Sequence, residues 1–300
     1  MTTVRQRIVA SVTRRYPFYS GCGSLASHPF VQRIAGSSTE IAWARVPGGY
    51  WAAAPLGDHV GRAIFYTGEL DRKITWVCSR LVRPGDCVLD IGANLGLVAF
   101  TLSALVGPSG QVHAFEPIPE MQELIEEAID RNGVTNIRLY RFALGERYGE
   151  LTLSIPRENA GAASFVEARR WVDSNHMPVT VQTLSSVMEG QDIDHIRLVK
   201  IDVEGYEPEV LTGGTEFFLR CPPDAFVFEL NECSDLRNHP TLLALSDLGY
   251  GFFSLPKRLV RMHAIPFDPH NLPDTPESHD FVAARLGNIY DEVARHLHAV

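Results

Sequence analysis

Basic charge is in short supply in this 300-residue chain, where 27 Lys and Arg stand against 36 Asp and Glu for a formal net charge of −9. A partner held mainly through phosphates needs a basic face to supply its affinity, so nucleic acid is not expected. Cysteine is scarce as well. Cys22, Cys78, Cys87, Cys221 and Cys233 show no metal-type spacing and are odd in number, which points to free thiols in a reducing compartment. Long apolar runs are also missing. The run Ile8 to Val12 lies among Arg5, Arg7, Arg14 and Arg15 and is too short for a signal segment or a membrane span. The expectation is a cytoplasmic protein without stable membrane insertion, whose basic N-terminal segment reads as an ordinary solvated helix ahead of the alternative, an amphipathic segment touching a membrane surface. Internal repeats and low-complexity tracts are absent.

What the chain does have is apolar mass. With 45% hydrophobic residues it can bury a substantial core, as one large domain with a small appendage. From Val88 onward short apolar runs alternate with helical patterns, the mark of parallel strands joined by crossover helices and hence of an α/β fold. The expected strands are Cys87 to Ile91, Val112 to Phe115, Ile137 to Phe142, Ile196 to Asp202, Ala225 to Leu230, Tyr250 to Leu255 and Asp280 to Leu286. Leu151 to Ile155 and Val179 to Leu184 read as extra strands, and Pro266 to Pro276 as a surface loop. The first sixty residues lack the alternation, apart from a hairpin signal at Glu40 to Ala54 around Pro47-Gly48-Gly49. They are expected to form an N-terminal extension or cap over residues 1–60, with the main domain spanning 61–300.

The most informative stretch is Val88-Leu89-Asp90-Ile91-Gly92-Ala93-Asn94-Leu95-Gly96, an apolar strand that ends in a carboxylate and then in glycines opening a helix. Gly92 permits a tight turn with positive φ, and Gly96 permits close helix packing. Twenty-four residues past Gly92, a second strand closes on Glu116, where a carboxylate can hold the two ribose hydroxyls of an adenosine. Together these are the parts of a nucleoside-cofactor site. Asp90 stands where it can accept hydrogen bonds from a ligand ammonium, directly or through water. The G-x-G-x-x-G spacing of dinucleotide-binding turns is not present, which counts against an NAD-dependent oxidoreductase or epimerase on the same type of sheet. A non-catalytic nucleotide-binding module is the other alternative.

A second constellation follows at Lys200-Ile201-Asp202-Val203-Glu204-Gly205-Tyr206-Glu207, at the carboxyl end of a central strand where open α/β sheets bind ligands. Lys200 and Asp202 share a face under the period-two rule. An ion pair that only satisfies buried charge and a direct catalytic role stand side by side as readings of them. Further on, Glu229 and Asn231 share a face at the end of the next strand. Asp202, Glu229 and Asn231 could supply oxygen ligands to Mg²⁺, although polar substrate contacts without metal are the favoured reading. His113, His176, His239 and His279 show no ligand spacing.

These segments resemble the FkbM-type methyltransferases. VLDIGANLG, AFEP, ALGE at Ala143 to Glu146, KIDVEGYEPEVLTGG at Lys200 to Gly214 and FVFELN at Phe226 to Asn231 occur in the family's order, over roughly Phe65 to Leu255. The resemblance implies a class I methyltransferase (Rossmann-like) sheet, seven-stranded and mostly parallel with an antiparallel last strand and helices on both faces. It implies S-adenosyl-L-methionine as cofactor and methyl transfer, usually to a hydroxyl of a sugar, glycan or glycolipid, or polyketide-type natural product. The residues expected at the cofactor are Tyr66, Gly68, Asp90, Gly92, Asn94, Gly96, Glu116, Phe142, Ala143 and Asp202. The expected catalytic groups are Asp202 first, then Glu229, with Lys200 beside them. The partner is a small-molecule or glycan acceptor, and a homo-oligomer is compatible with the composition. The chain departs from the family in its N-terminal part and in the segment Arg157 to Pro178, the regions expected to shape the acceptor pocket.

Overall fold

A computed structural model describes residues 2–166, 173–230, 236–269 and 278–299. The chain opens with three helices, α1 (Val4–Thr13), α2 (Cys22–Ala26) and α3 (Pro29–Ala35), and a hairpin of β1 (Ile41–Arg45) and β2 (Trp51–Pro55). Helices α4 (His59–Thr67) and α5 (Arg72–Leu81) follow. The alternating part then runs β3 (Cys87–Ile91), α6 (Leu97–Val106), β4 (Gln111–Phe115), α7 (Pro119–Asn132) and β5 (Ile137–Tyr140). A small sheet comes next: β6 (Ala143–Leu144), β7 (Gly149–Pro156) and β8 (Ser174–Gln182), with the short helix α8 (Leu184–Val187) after it. The remainder is β9 (Leu198–Ile201), α9 (Glu207–Arg220), β10 (Ala225–Glu229), α10 (Pro240–Asp247), β11 (Tyr250–Ser254), β12 (Ile265–Phe267), β13 (Asp280–Arg285) and α11 (Asn288–His296).

Strand order in the large sheet is β12-β11-β13-β10-β9-β3-β4-β5. From β11 to β5 this is the class I methyltransferase arrangement, with β13 antiparallel to both of its neighbours β10 and β11. The sheet has eight strands among the described residues, one more than expected, because Ile265 to Phe267, overlapping the start of the expected loop Pro266 to Pro276, pairs antiparallel with β11. Its proline, Pro266, sits on an edge strand, where the missing N–H costs no ladder bond. The expected Arg157 to Pro178 excursion is also partly strand, since β8 begins at Ser174 and pairs with β7 along its length.

Burial explains the central strands. Leu89, Ile91, Val199, Ile201, Phe226 and Phe228 lie on one face against Val210, Phe217 and Phe218 of α9. Val88, Leu198 and Val227 lie on the other against α5 and α6. Period two then forces the polar residues of these strands onto the α5/α6 side. Asp90 is in register with Lys200 and Lys200 with Val227, so Asp90, Lys200, Asp202 and Glu229 converge at the carboxyl ends on that face.

The N-terminal elements share the same core. Ala52, Ala54, Ile64 and Tyr66 pack in one cluster with Phe100, Met121 and Ala128 of α6 and α7. The Asn132 side chain at the end of α7 accepts from Trp51 N–H at 2.8 Å and donates to its carbonyl at 2.7 Å, completing the free edge of the hairpin.

Candidate active site

Two cavities meet at the carboxyl ends of β3, β4 and β9. The first, about 580 Å³ of space partly open to solvent, is bounded by Gly92 and Asn94 of the β3–α6 loop, Glu116 after β4, and Phe142 and Ala143 after β5. Asp202 closes it on the β9 side, and Ala160, Gly161 and Phe165 cover it. The second is larger, about 1580 Å³, and lies between the N-terminal helices and the sheet. Lys73, Lys200, Asp202, Glu229 and Asp280 line it from below, and Tyr16, Gly23 and His59 from the cap side. Asp202 lies on the wall of both.

The β3–α6 loop is shaped by two unusual backbones. Gly92 has φ +80°, and a Cβ there would stand 2.0 Å from the Asp202 carbonyl oxygen. The close approach that this glycine allows is therefore to the β9–α9 loop. Asn94 is left-handed at φ 52°, a conformation asparagine tolerates, and across the cavity Glu204 is left-handed at φ 55°.

Glu116 is 3% exposed, and its carboxylate accepts the N–H of Asn94 at 2.6 Å and of Ile118 at 2.8 Å. Burial pushes its carboxyl up to about 7 against those two bonds. Glu207 does the same for the facing loop. It accepts from Val203 and Gly205 N–H, both at 3.2 Å, and burial pushes it to about 7.

Lys200 joins the two constellations. Its Nζ donates to the Gly92 carbonyl at 2.6 Å and lies 3.3 Å from Asp90 and 3.6 Å from Asp202. Burial works against its charge, but Asp90 and Asp202 outweigh it and hold the ammonium above the ordinary lysine range. Asp90 is fully buried and both of its oxygens lack a hydrogen bond, so Lys200 is its counter-ion. Lys200 thus satisfies buried charge, the first of the two sequence readings, and pairs with Asp202 at the cavity wall.

Residues 90–252 match the methyltransferase FkbM domain. The chain belongs to the FkbM methyltransferase family. Among its relatives, the hexuronic acid methyltransferase AglP of Haloferax volcanii is 30% identical over 132 residues, 43% of this chain and 50% of that protein. The 2-O-methyltransferase NoeI of Sinorhizobium fredii is 28% identical over 159 residues, 47% of this chain and 62% of that protein. The chain thus spans about half the length of the curated relatives it matches. Among solved structures, a methyltransferase FkbM from Methylobacillus flagellatus KT superposes with TM-score 0.41 at 13% identity, covering 76% of this chain and 65% of that one.

Within the FkbM domain, Gly92, Asn94, Glu116, Phe142, Ala143 and Asp202 come together around the first cavity. Four residues expected at the cofactor do not. Asp90 is sealed behind the wall as the partner of Lys200. Gly96 caps α6 at φ 75°, where a Cβ would crowd Phe100 and Ile125, so its role is packing against α7. Tyr66 is 1% exposed in the core cluster, and Gly68 is the left-handed C-cap of α4. Glu229 lines the second cavity, and burial raises its carboxyl. Asn231 lies outside the described residues. Among the described residues no three His, Cys, Asp or Glu side chains cluster to hold a metal.

Several groups at the site carried no local sequence signal. Lys73, 1% exposed, is ion-paired with Asp280 and lies 3.4 Å from Asp71. His59 Nδ1 is 2.9 Å from Ser27 Oγ, and burial lowers the pKa of this ring, as does Arg62. The cover of the first cavity is pinned at both ends. Asp58 accepts Ala160 N–H at 2.8 Å and Gly61 N–H at 3.0 Å, while Ser164 Oγ donates to the Glu204 carbonyl at 2.7 Å and Phe165 packs on Tyr206 with ring centroids 5.0 Å apart.

S-adenosyl-L-methionine fits this donor set. The buried Glu116 carboxylate on the cavity wall suits ribose hydroxyls. The Phe142, Leu144 and Ile118 walls suit a flat base, and Asn94 with Asp202 suits the polar amino-acid end.

Proposed function

We propose that the protein transfers a methyl group from S-adenosyl-L-methionine to a hydroxyl of a sugar, glycan or glycolipid, or polyketide-type natural product. The observation that carries this is the position of Asp202, which is shared by a narrow cavity suited to a nucleoside and a wide polar cavity suited to an acceptor. The names of the relatives, a hexuronic acid methyltransferase and a 2-O-methyltransferase, support oxygen on a sugar-like acceptor.

The bound cofactor supplies an electrophilic methyl group on a sulfonium. The chain's task is then to hold an acceptor oxygen in line with that group, which is mainly positioning. Asp202 receives the acceptor hydroxyl's hydrogen bond and takes its proton as the oxygen reacts. Lys200, 3.6 Å away, pairs with that carboxylate and keeps it aimed at the junction. Glu229 and His59, on opposite walls of the wide cavity, bind further hydroxyls of the acceptor. Glu116 holds the ribose, and Phe142 and Ala143 flank the adenine.

The test is transfer of radiolabelled methyl from S-adenosyl-L-methionine to a panel of hydroxylated glycans by the wild type and by Asp202→Asn. Label on oxygen that the variant fails to deliver, while it still binds cofactor, is the expected outcome. Full activity in the variant would remove Asp202 from the chemistry.

A further inference from the structure

The N-terminal helices carry an apolar surface that the active site does not use. Helix α1 sets Val4, Ile8 and Val12 on one stripe, 73%, 59% and 63% exposed, while its opposite side buries Gln6 and Ala10. Exposed Arg5 and Arg7 flank that stripe on either side of the helix. Helix α3 packs beside α1 and leaves Phe30 and Ile34 exposed at 65% and 46%, with Arg33 exposed between them. The loop after β11 adds Leu259 and Val260, 55% and 78% exposed, next to exposed Lys257 and Arg261. It is tied to the N-terminal segment by Tyr19 N–H to the Leu259 carbonyl at 3.0 Å and Ser20 Oγ to the Arg258 carbonyl at 3.1 Å.

The charge of this region is opposite to that of the molecule. Residues 1–39 contain five arginines and no acid, in a chain of net charge −9. We propose that this surface docks the protein peripherally on an anionic lipid bilayer, with its arginines among the headgroups and the side chains of Ile8, Phe30 and Val260 at the acyl boundary. The exposed apolar groups are divided among two helices and a loop, each with exposed cations neighbouring them in sequence. A fluid interface accommodates separated apolar groups, whereas a protein partner would need a face matched to their spacing. A second copy meeting this patch through a two-fold axis would bring arginines onto arginines.

Docking of this kind does not depend on methyl transfer, but it has a consequence for the site. Tyr16, Ser20, Gly21, Lys257 and Leu259 belong both to the docking region and to the rim of the wide cavity. The bilayer would therefore lie against the acceptor entrance.

The experiment is flotation of the full chain with vesicles of phosphatidylcholine alone and of phosphatidylcholine with 30% phosphatidylglycerol, the vesicle composition being chosen to supply anionic headgroups on the order of a cytoplasmic leaflet. Binding to the anionic vesicles only, reduced on the order of tenfold or more by 0.5 M salt, by Arg5→Glu/Arg7→Glu, or by Ile8→Ser/Phe30→Ser, is the expected result. Circular dichroism of each variant checks that it folds, and Leu219→Ser, a control at a 68% exposed residue of α9, should float like the wild type. Wild type that stays unbound to anionic vesicles overturns the proposal. So do equal binding by all variants and a concentration-dependent dimer that Ile8→Ser/Phe30→Ser dissociates without any vesicle binding.

Discussion

Glu116 is the residue on which cofactor affinity should turn. If it holds ribose through charge-assisted bonds, Glu116→Ala weakens S-adenosyl-L-methionine by about 1–3 kcal/mol in calorimetry, and an unchanged dissociation constant would remove it from the site. Its burial adds a pH signature. Ribose hydroxyls need the ionised carboxylate as acceptor, and the free protein holds that carboxyl near 7. Binding should therefore tighten as pH rises from 6 to 8 and release a proton, measured by titrations in buffers of different ionisation enthalpy. Glu116→Gln should abolish the proton release. The sign is fixed by the direction of the shift: a carboxyl raised in the free protein is partly protonated below its pKa, and that proton must leave before the hydroxyls can be bound. Gly92 tests the backbone in the same region. Gly92→Ala puts a methyl 2.0 Å from the Asp202 carbonyl at a left-handed φ, so a loss of at least about 2 kcal/mol of stability is expected in urea unfolding. Much of this was legible in the sequence, because a glycine after a strand and an acid at the end of the next strand are local signals. The assignment of Asp90 was not, because strand periodicity gives its face while only the register against Lys200 shows that the charge is sealed inside.

At the scale of elements, β3 and β9 are joined by more than their ladder. Lys200→Met would leave Asp90 buried without its counter-ion, a loss of about 3–5 kcal/mol, and adding Asp90→Asn should recover a good part of it. Equal stability of the single and double variants in denaturant melts would show that the pair is not coupled. The cover of the narrow cavity depends in a similar way on Asp58. Asp58→Ala frees two backbone N–H groups, those of Gly61 and Ala160, and should cost about 1 kcal/mol in stability together with a measurable loss of cofactor affinity. The alternating strands and helices were readable because each buries a continuous apolar face. The cover, the Lys73–Asp280 pair and the His59–Ser27 contact were not. They join residues 102, 207 and 32 positions apart, respectively, or bring together loops with no periodicity of their own. The edge strand Ile265 to Phe267 escaped for a related reason, since its proline reads as a loop signal unless the strand is known to be an outer one.

On the scale of the whole molecule, the FkbM domain provides most of the large sheet and the walls of the narrow cavity, β12 and β13 lie beyond it, and the N-terminal helices roof the wide cavity. The family motifs line the narrow cavity. The wide cavity is built from segments that meet only in three dimensions, which is why the sequence names a reaction type and leaves the acceptor as a class. The central claim is that the narrow cavity takes S-adenosyl-L-methionine, and the most direct measurement is calorimetric titration of the purified chain with S-adenosyl-L-methionine and, separately, with NAD. One equivalent of S-adenosyl-L-methionine bound and no heat from NAD is the predicted result. Binding of NAD with none of S-adenosyl-L-methionine would contradict the account and return Glu116 to the ribose of a dinucleotide.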